Sequence, residues 1–179
     1  MALRNGKRFV VYLGFAPGRT GHIGGWIGAL IVTLAFVLTS IRFPSVRANL
    51  WRPSWLKLLG IAVAVTAGIL EEVVFRKLLM DALMTRGFGD LTQIALSALA
   101  FGLAHGVWGL LGRSVRAAFG ATMATGLLGA SLAIVYLAAG RSVAPCVIAH
   151  FLINALVEPG LVLAAVRGEM GGVRGAPIR

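Results

Sequence analysis

Cysteine is nearly absent from this chain of 179 residues, and charge is sparse. Its single cysteine, Cys146, stands inside an apolar run, so neither an internal disulfide nor a thiolate metal cluster can form. Only 13% of the residues are charged, whereas 58% are hydrophobic, and the mean hydropathy is +0.88. A water-soluble fold cannot hide that much apolar surface. The basic N-terminal stretch carries only a short apolar run and no Ala-x-Ala site after it, so no cleaved signal peptide is expected. Also missing is a basic stripe with interleaved aromatics, which argues against a nucleic-acid partner despite the net charge of +11. The Arg and Lys residues fall instead mostly in the short breaks between apolar runs, where membrane proteins concentrate them.

What is present is a series of apolar windows long enough to cross a bilayer, which takes about 20 helical residues. Five candidate spans run roughly from Gly21 to Ile41, Leu56 to Met80, Leu91 to Leu111, Ala117 to Ala139 and Val143 to Val166. The expected fold is all-α, a polytopic membrane bundle of about five helices with the last four forming the functional core. Residues 1–55 then make an N-terminal segment with one span, 56–166 the core and 167–179 a short polar tail. The break RFPSVRANLWRPSW reads as a basic interfacial loop with Trp51 and Trp55 as aromatic anchors. The fourth span repeats small residues every four positions, at Ala118, Thr122, Gly126 and Ala130 and again at Thr125, Gly129 and Ala133. Such faces let backbones approach closely in lipid, so this helix is read as scaffold without chemistry.

An ionisable group inside a span costs about 2.5 to 3.5 kcal/mol even on the lenient insertion scale, so each one demands a reason. The second span holds EEVVFR, with Glu71, Glu72 and Arg76; the third holds FGLAHG, with Phe101 and His105; the fifth holds HFLIN, with His150 and Asn154. Glu72 and Arg76 stand at i and i+4, acid first, the favourable order for an ion pair on one helix face. Glu71 is turned about 100° away and is free to face another helix. The same spacing sets Phe101 beside His105, and His150 beside Asn154. Measured from the helix ends at Met80, Leu91 and Val143, residues Glu71, His105, His150 and Asn154 lie at depths of about 14, 21, 11 and 17 Å. These groups from three helices can therefore meet near mid-membrane.

In this order, each in an apolar span, EEVVFR, FGLAHG and HFLIN resemble the EExxxR, FxxxH and HxxxN motifs of the CPBP family. That family holds the CAAX-type prenyl-protein endopeptidases and the bacteriocin-processing enzymes, also called ABC1-type or Abi intramembrane proteases. The similarity covers about Leu56 to Glu158. It implies a glutamate-dependent peptide hydrolase in which Glu71 and His105 activate water, His150 and Asn154 stabilise the oxyanion, and Glu72 and Arg76 support the site. Phe101 is expected to pack beneath it. The implied partners are the bilayer and a peptide or membrane-protein substrate, which the family allows to be prenylated, in the cell membrane of a prokaryote.

Other readings of the same residues stand beside this one. Two histidines and a carboxylate could bind zinc with an open water position, although neither histidine belongs to an HExxH helix and no cofactor is otherwise expected. The polar cluster could also serve a non-proteolytic membrane scaffold or immunity-type factor, holding helix register. Glu158 lies on the stripe of His150 and Asn154, either as an accessory acid or as a carboxylate beside a helix end that Pro159 and Gly160 break or kink.

Overall fold

A computed structural model describes residues 10–16, 18–106 and 115–167. Among these the chain is all-helical. Helix α1 spans Ile23–Ser40, α2 Pro44–Asn49, α3 Trp55–Glu72, α4 Asp81–Thr85, α5 Asp90–His105, α6 Val115–Ala138 and α7 Ala144–Val166. Between α3 and α4 the backbone widens into a π-helical segment, Val73–Met80, so the second apolar run is one continuous rod from Trp55 to Thr85.

Local chemistry sets several boundaries. Ser54 caps α3, its hydroxyl accepting the Lys57 N–H at 3.1 Å. Pro44 opens α2 at a position where its missing N–H costs nothing. Two helices end in matching turns: the N–H groups of Gly87 and Phe88 reach back to the carbonyls of Met84 and Leu83, and those of Gly140 and Arg141 to Leu137 and Tyr136. The first residue of each pair is a glycine with φ of +82° or +65°, the left-handed value this cap requires.

Among the described residues four stretches are long and apolar enough to cross a membrane: Ile23–Ser40, Lys57–Thr85, Ala118–Ala138 and Ala144–Ala164. The third expected span differs. Helix α5 has 16 residues, about 24 Å at the helical rise, and the expected extension to Leu111 falls outside the described residues. Large apolar side chains cover the outward faces, for example Ile23, Ile27, Leu30, Ile31, Leu34 and Leu38 along α1. In water such a face would drive association; in a bilayer it is the solvated side.

The core forms where α6 meets α7, around Leu132, Tyr136, Val143, Cys146 and Ile153. Small residues set the distances. A Cβ on Gly102 of α5 would lie 2.8 Å from the Thr122 carbonyl and 3.1 Å from Gly126 Cα, so the α6 face of small residues is where α5 docks. Helix α3 lies against α7, with Gly60 facing Pro159. Pro159 and Gly160 do not break α7, which runs on to Val166. Instead Gly160 admits α2, since a Cβ there would sit 2.5 Å from Val46 Cα. The expected interfacial loop is thus partly a helix with Ser45 and Val46 fully buried, while Trp51 and Trp55 remain exposed. The tail beyond Arg167, the first nine residues and the break around Arg113 lie outside the described residues.

Candidate active site

Three elements deliver the polar residues: the end of α3 with the π segment, α5 and α7. Glu72 and Arg76 are fully buried and form an ion pair, Oε1 to Nη1 at 3.1 Å. The contact has the distance of an ion pair but lies off the hydrogen-bonding direction. The arginine is held from two further sides. Its Nη2 donates to the Gly129 carbonyl at 3.1 Å, and its guanidinium lies 4.6 Å from the Phe101 ring centre. The helix read as pure scaffold therefore supplies an acceptor, because Gly129 exposes its backbone to the neighbouring helix.

The same carboxylate oxygen of Glu72 lies 2.7 Å from His150 Nδ1. The His150 ring is thus fixed by Glu72 across the helix interface, a contact that spacing within α7 did not reveal. A carboxylate is acceptor-only, so Nδ1 carries the proton and donates it. His150 Nε2 then faces the centre of the site. His105 is fixed similarly, its Nδ1 2.8 Å from the Phe101 carbonyl one turn back, which also leaves Nε2 pointing inward. Its ring centre is 4.5 Å from that of Phe101, and Phe101 in turn meets His150 edge-on at 5.7 Å. Phe101 is fully buried and floors the site. His105 is the last residue of α5.

Glu71 faces both imidazoles. Its Oε2 lies 3.6 Å from His105 Nε2 and 3.7 Å from His150 Nε2, and it has no hydrogen-bond partner among the described residues. Gaps of this length between polar atoms are those a water bridges. The side chains of Glu71 and His105 are 25% and 21% exposed, against 2% for His150. One side of the centre is thus open and the other sealed. Half-buried Asn154 is one turn beyond His150 on α7 and makes no hydrogen bond among the described residues. Glu158, a further turn on, has a buried Oε2 without a partner among the described residues and lies within electrostatic range of His150, Glu71 and His105. No group of three His, Cys, Asp or Glu among the described residues is arranged to hold a metal ion.

A carboxylate and two imidazoles thus meet inside a bundle that includes helices of membrane-spanning length, and the fold is that of a polytopic membrane protein with a polar centre. The family model that matches is that of the Rce1-like type II CAAX prenyl endopeptidases, over residues 53–156. The chain belongs to that family, which makes it a membrane-embedded peptidase. The matched stretch contains Glu71, Glu72, Arg76, Phe101, His105, His150 and Asn154 and ends before Glu158. Comparison with curated proteins and with solved structures gave no match.

Proposed function

We propose that this protein is a glutamate-dependent intramembrane endopeptidase. The observation that carries the reading is the placement of Glu71 Oε2 at 3.6 and 3.7 Å from two imidazole Nε2 atoms, each ring oriented through its other nitrogen. A water held between Glu71 and His105 loses its proton to Glu71 as its oxygen bonds to the substrate carbonyl carbon. The proton then passes to the amide nitrogen, and the C–N bond breaks. The developing oxyanion needs donors, which His150 and Asn154 supply. His150 can donate from Nε2 while Nδ1–H serves Glu72 only as the doubly protonated ring, and carboxylates on both sides offset that charge. Arg76 offsets the burial of Glu72, so the pair acts as the frame that aims His150.

The substrate in this reading is a peptide segment within or beside the membrane. A prenylated C-terminal motif is the version that the family name suggests for this chain. The bilayer is the working medium, and no bound metal is used.

The test compares wild type with Glu71→Gln and His105→Ala in liposomes, using prenylated and unprenylated peptides, with and without a chelator. Loss of cleavage in both variants at unchanged protein level supports the reading. Abolition by chelator and restoration by zinc would shift it to a zinc peptidase. Full function in both variants would leave a scaffold or immunity-type role.

A further inference from the structure

A second polar cavity lies at the end of the bundle where α1 and α7 begin and α6 ends. Its volume is about 320 Å³, and its lining includes Tyr12, Arg19, His22, Lys77, Arg141 and Ser142 but no carboxylate among the described residues. Asp81 stands just behind it and is shared by two of the cations, with Lys77 Nζ at 3.0 Å and Arg141 Nη1 at 2.7 Å. Arg19 is exposed and has no acidic partner among the described residues. Asp90, 4.0 Å from Arg141, points into solvent. Three cations against one enclosed carboxylate leave the cavity positive.

The cavity is preformed. The turn at Gly14 and Gly21 presses on the turn at Ala139 to Ser142: a Cβ on Gly21 would lie 2.9 Å from the Ala139 carbonyl, and one on Gly14 would overlap the Ser142 hydroxyl. Arg141 has a positive φ of 66°, rare for a residue with a side chain. Strained backbone of this kind clusters at ligand clamps. The Arg141 guanidinium is also held by the Gln93 side chain, and Lys77 by the face of Tyr12 at 4.8 Å. None of these groups belongs to the Glu71 centre.

We infer that this cavity binds a phosphate group at the membrane surface. Ends of three membrane-length stretches, at Ile23, Ala138 and Ala144, converge on it, which places it at the depth of lipid headgroups. Arginine and lysine together suit a phosphate, the first by paired N–H donors and the second as a compact charge. The phosphate belongs either to an anionic lipid headgroup or to a soluble ion, and the inference is independent of the peptidase reading.

The full-length protein in detergent is examined by native mass spectrometry and thermal unfolding with phosphatidylglycerol, phosphatidylcholine or inorganic phosphate. Wild type is expected to retain phosphatidylglycerol over phosphatidylcholine and to unfold at a higher temperature with it. Arg19→Glu, in an exposed turn, should weaken retention by roughly tenfold, since one charge-assisted contact is lost and a repulsion gained. Arg19→Gln should fall between. Arg52→Glu, beyond the other end of α1, should change nothing, and Glu71→Gln should bind as wild type does. If millimolar inorganic phosphate alone stabilises wild type and displaces the lipid, the site stands with a soluble ligand. Equal retention in Arg19→Glu and Arg52→Glu, or no preference for either phosphate form in wild type, overturns the inference.

Discussion

His150 Nδ1 lies 2.7 Å from Glu72 Oε1, both side chains essentially sealed from solvent. The two residues are 78 positions apart in sequence and on different helices, so this contact ties the rim of the site to its ion pair. With Nδ1 committed to a buried carboxylate, the face that His150 presents to the centre is decided by Glu72.

Glu72→Gln should therefore damage stability and activity together. Removing one partner of a buried ion pair leaves Arg76 uncompensated, at a cost of about 3–5 kcal/mol. The double variant Glu72→Gln with Arg76→Met removes that charge and should regain most of the stability while staying inactive, because His150 is no longer aimed. Thermal unfolding and peptide cleavage measured on both variants separate the two effects.

Glu71→Gln should behave in the opposite way. Its Oε2 is buried and has no hydrogen-bond partner among the described residues, so neutralising it removes an unpaired buried charge and the folded state should lose little. Cleavage should fall by about 10² to 10⁴, the usual contribution of a positioned base. Single-turnover cleavage in liposomes, alongside an unfolding curve, checks both halves.

Asn154→Ala should lower the cleavage rate by about 10² to 10³, as for loss of one oxyanion donor. Because Asn154 has no hydrogen bond to give up among the described residues, its stability and substrate KM should hold. A larger effect on KM than on kcat would assign it to substrate binding instead.

Added volume should be costly at a glycine inside the α5–α6 contact and harmless at one outside it. Gly102→Ala places a methyl 2.8 Å from the Thr122 carbonyl, and overpacking of this kind costs about 1–3 kcal/mol. It should also lower activity, since Gly102 lies less than one turn before His105. Gly120→Ala meets nothing within 4 Å and should be neutral or stabilising by up to about 1 kcal/mol. Unfolding temperatures of the two variants test the difference directly.

Much of this was legible in the chain because lipid imposes simple rules. An apolar run of about 20 residues has few alternatives to a membrane helix, and a carboxylate or imidazole inside one stands out by its cost alone. The i,i+4 spacing of Glu72 and Arg76 sufficed for their pairing, and the four-residue repeat in α6 for a close helix contact. Those inferences rest on periodicity within one segment. Contacts between segments have no such signature: His150 meeting Glu72, the Gly129 carbonyl taking an Arg76 donor, and Pro159 with Gly160 serving as a packing seat for α2 and α3.

The sequence by itself determined a helical membrane protein with acid, imidazole and amide groups set into three apolar runs, because cost in lipid and helical period act locally. Tertiary structure alone decided which nitrogen of each histidine turns inward, how far Glu71 stands from them, and that a positive cavity closes between two glycine turns at the far end of α6. Those features depend on how closely neighbouring backbones approach, which is fixed by packing between helices and not by any one of them.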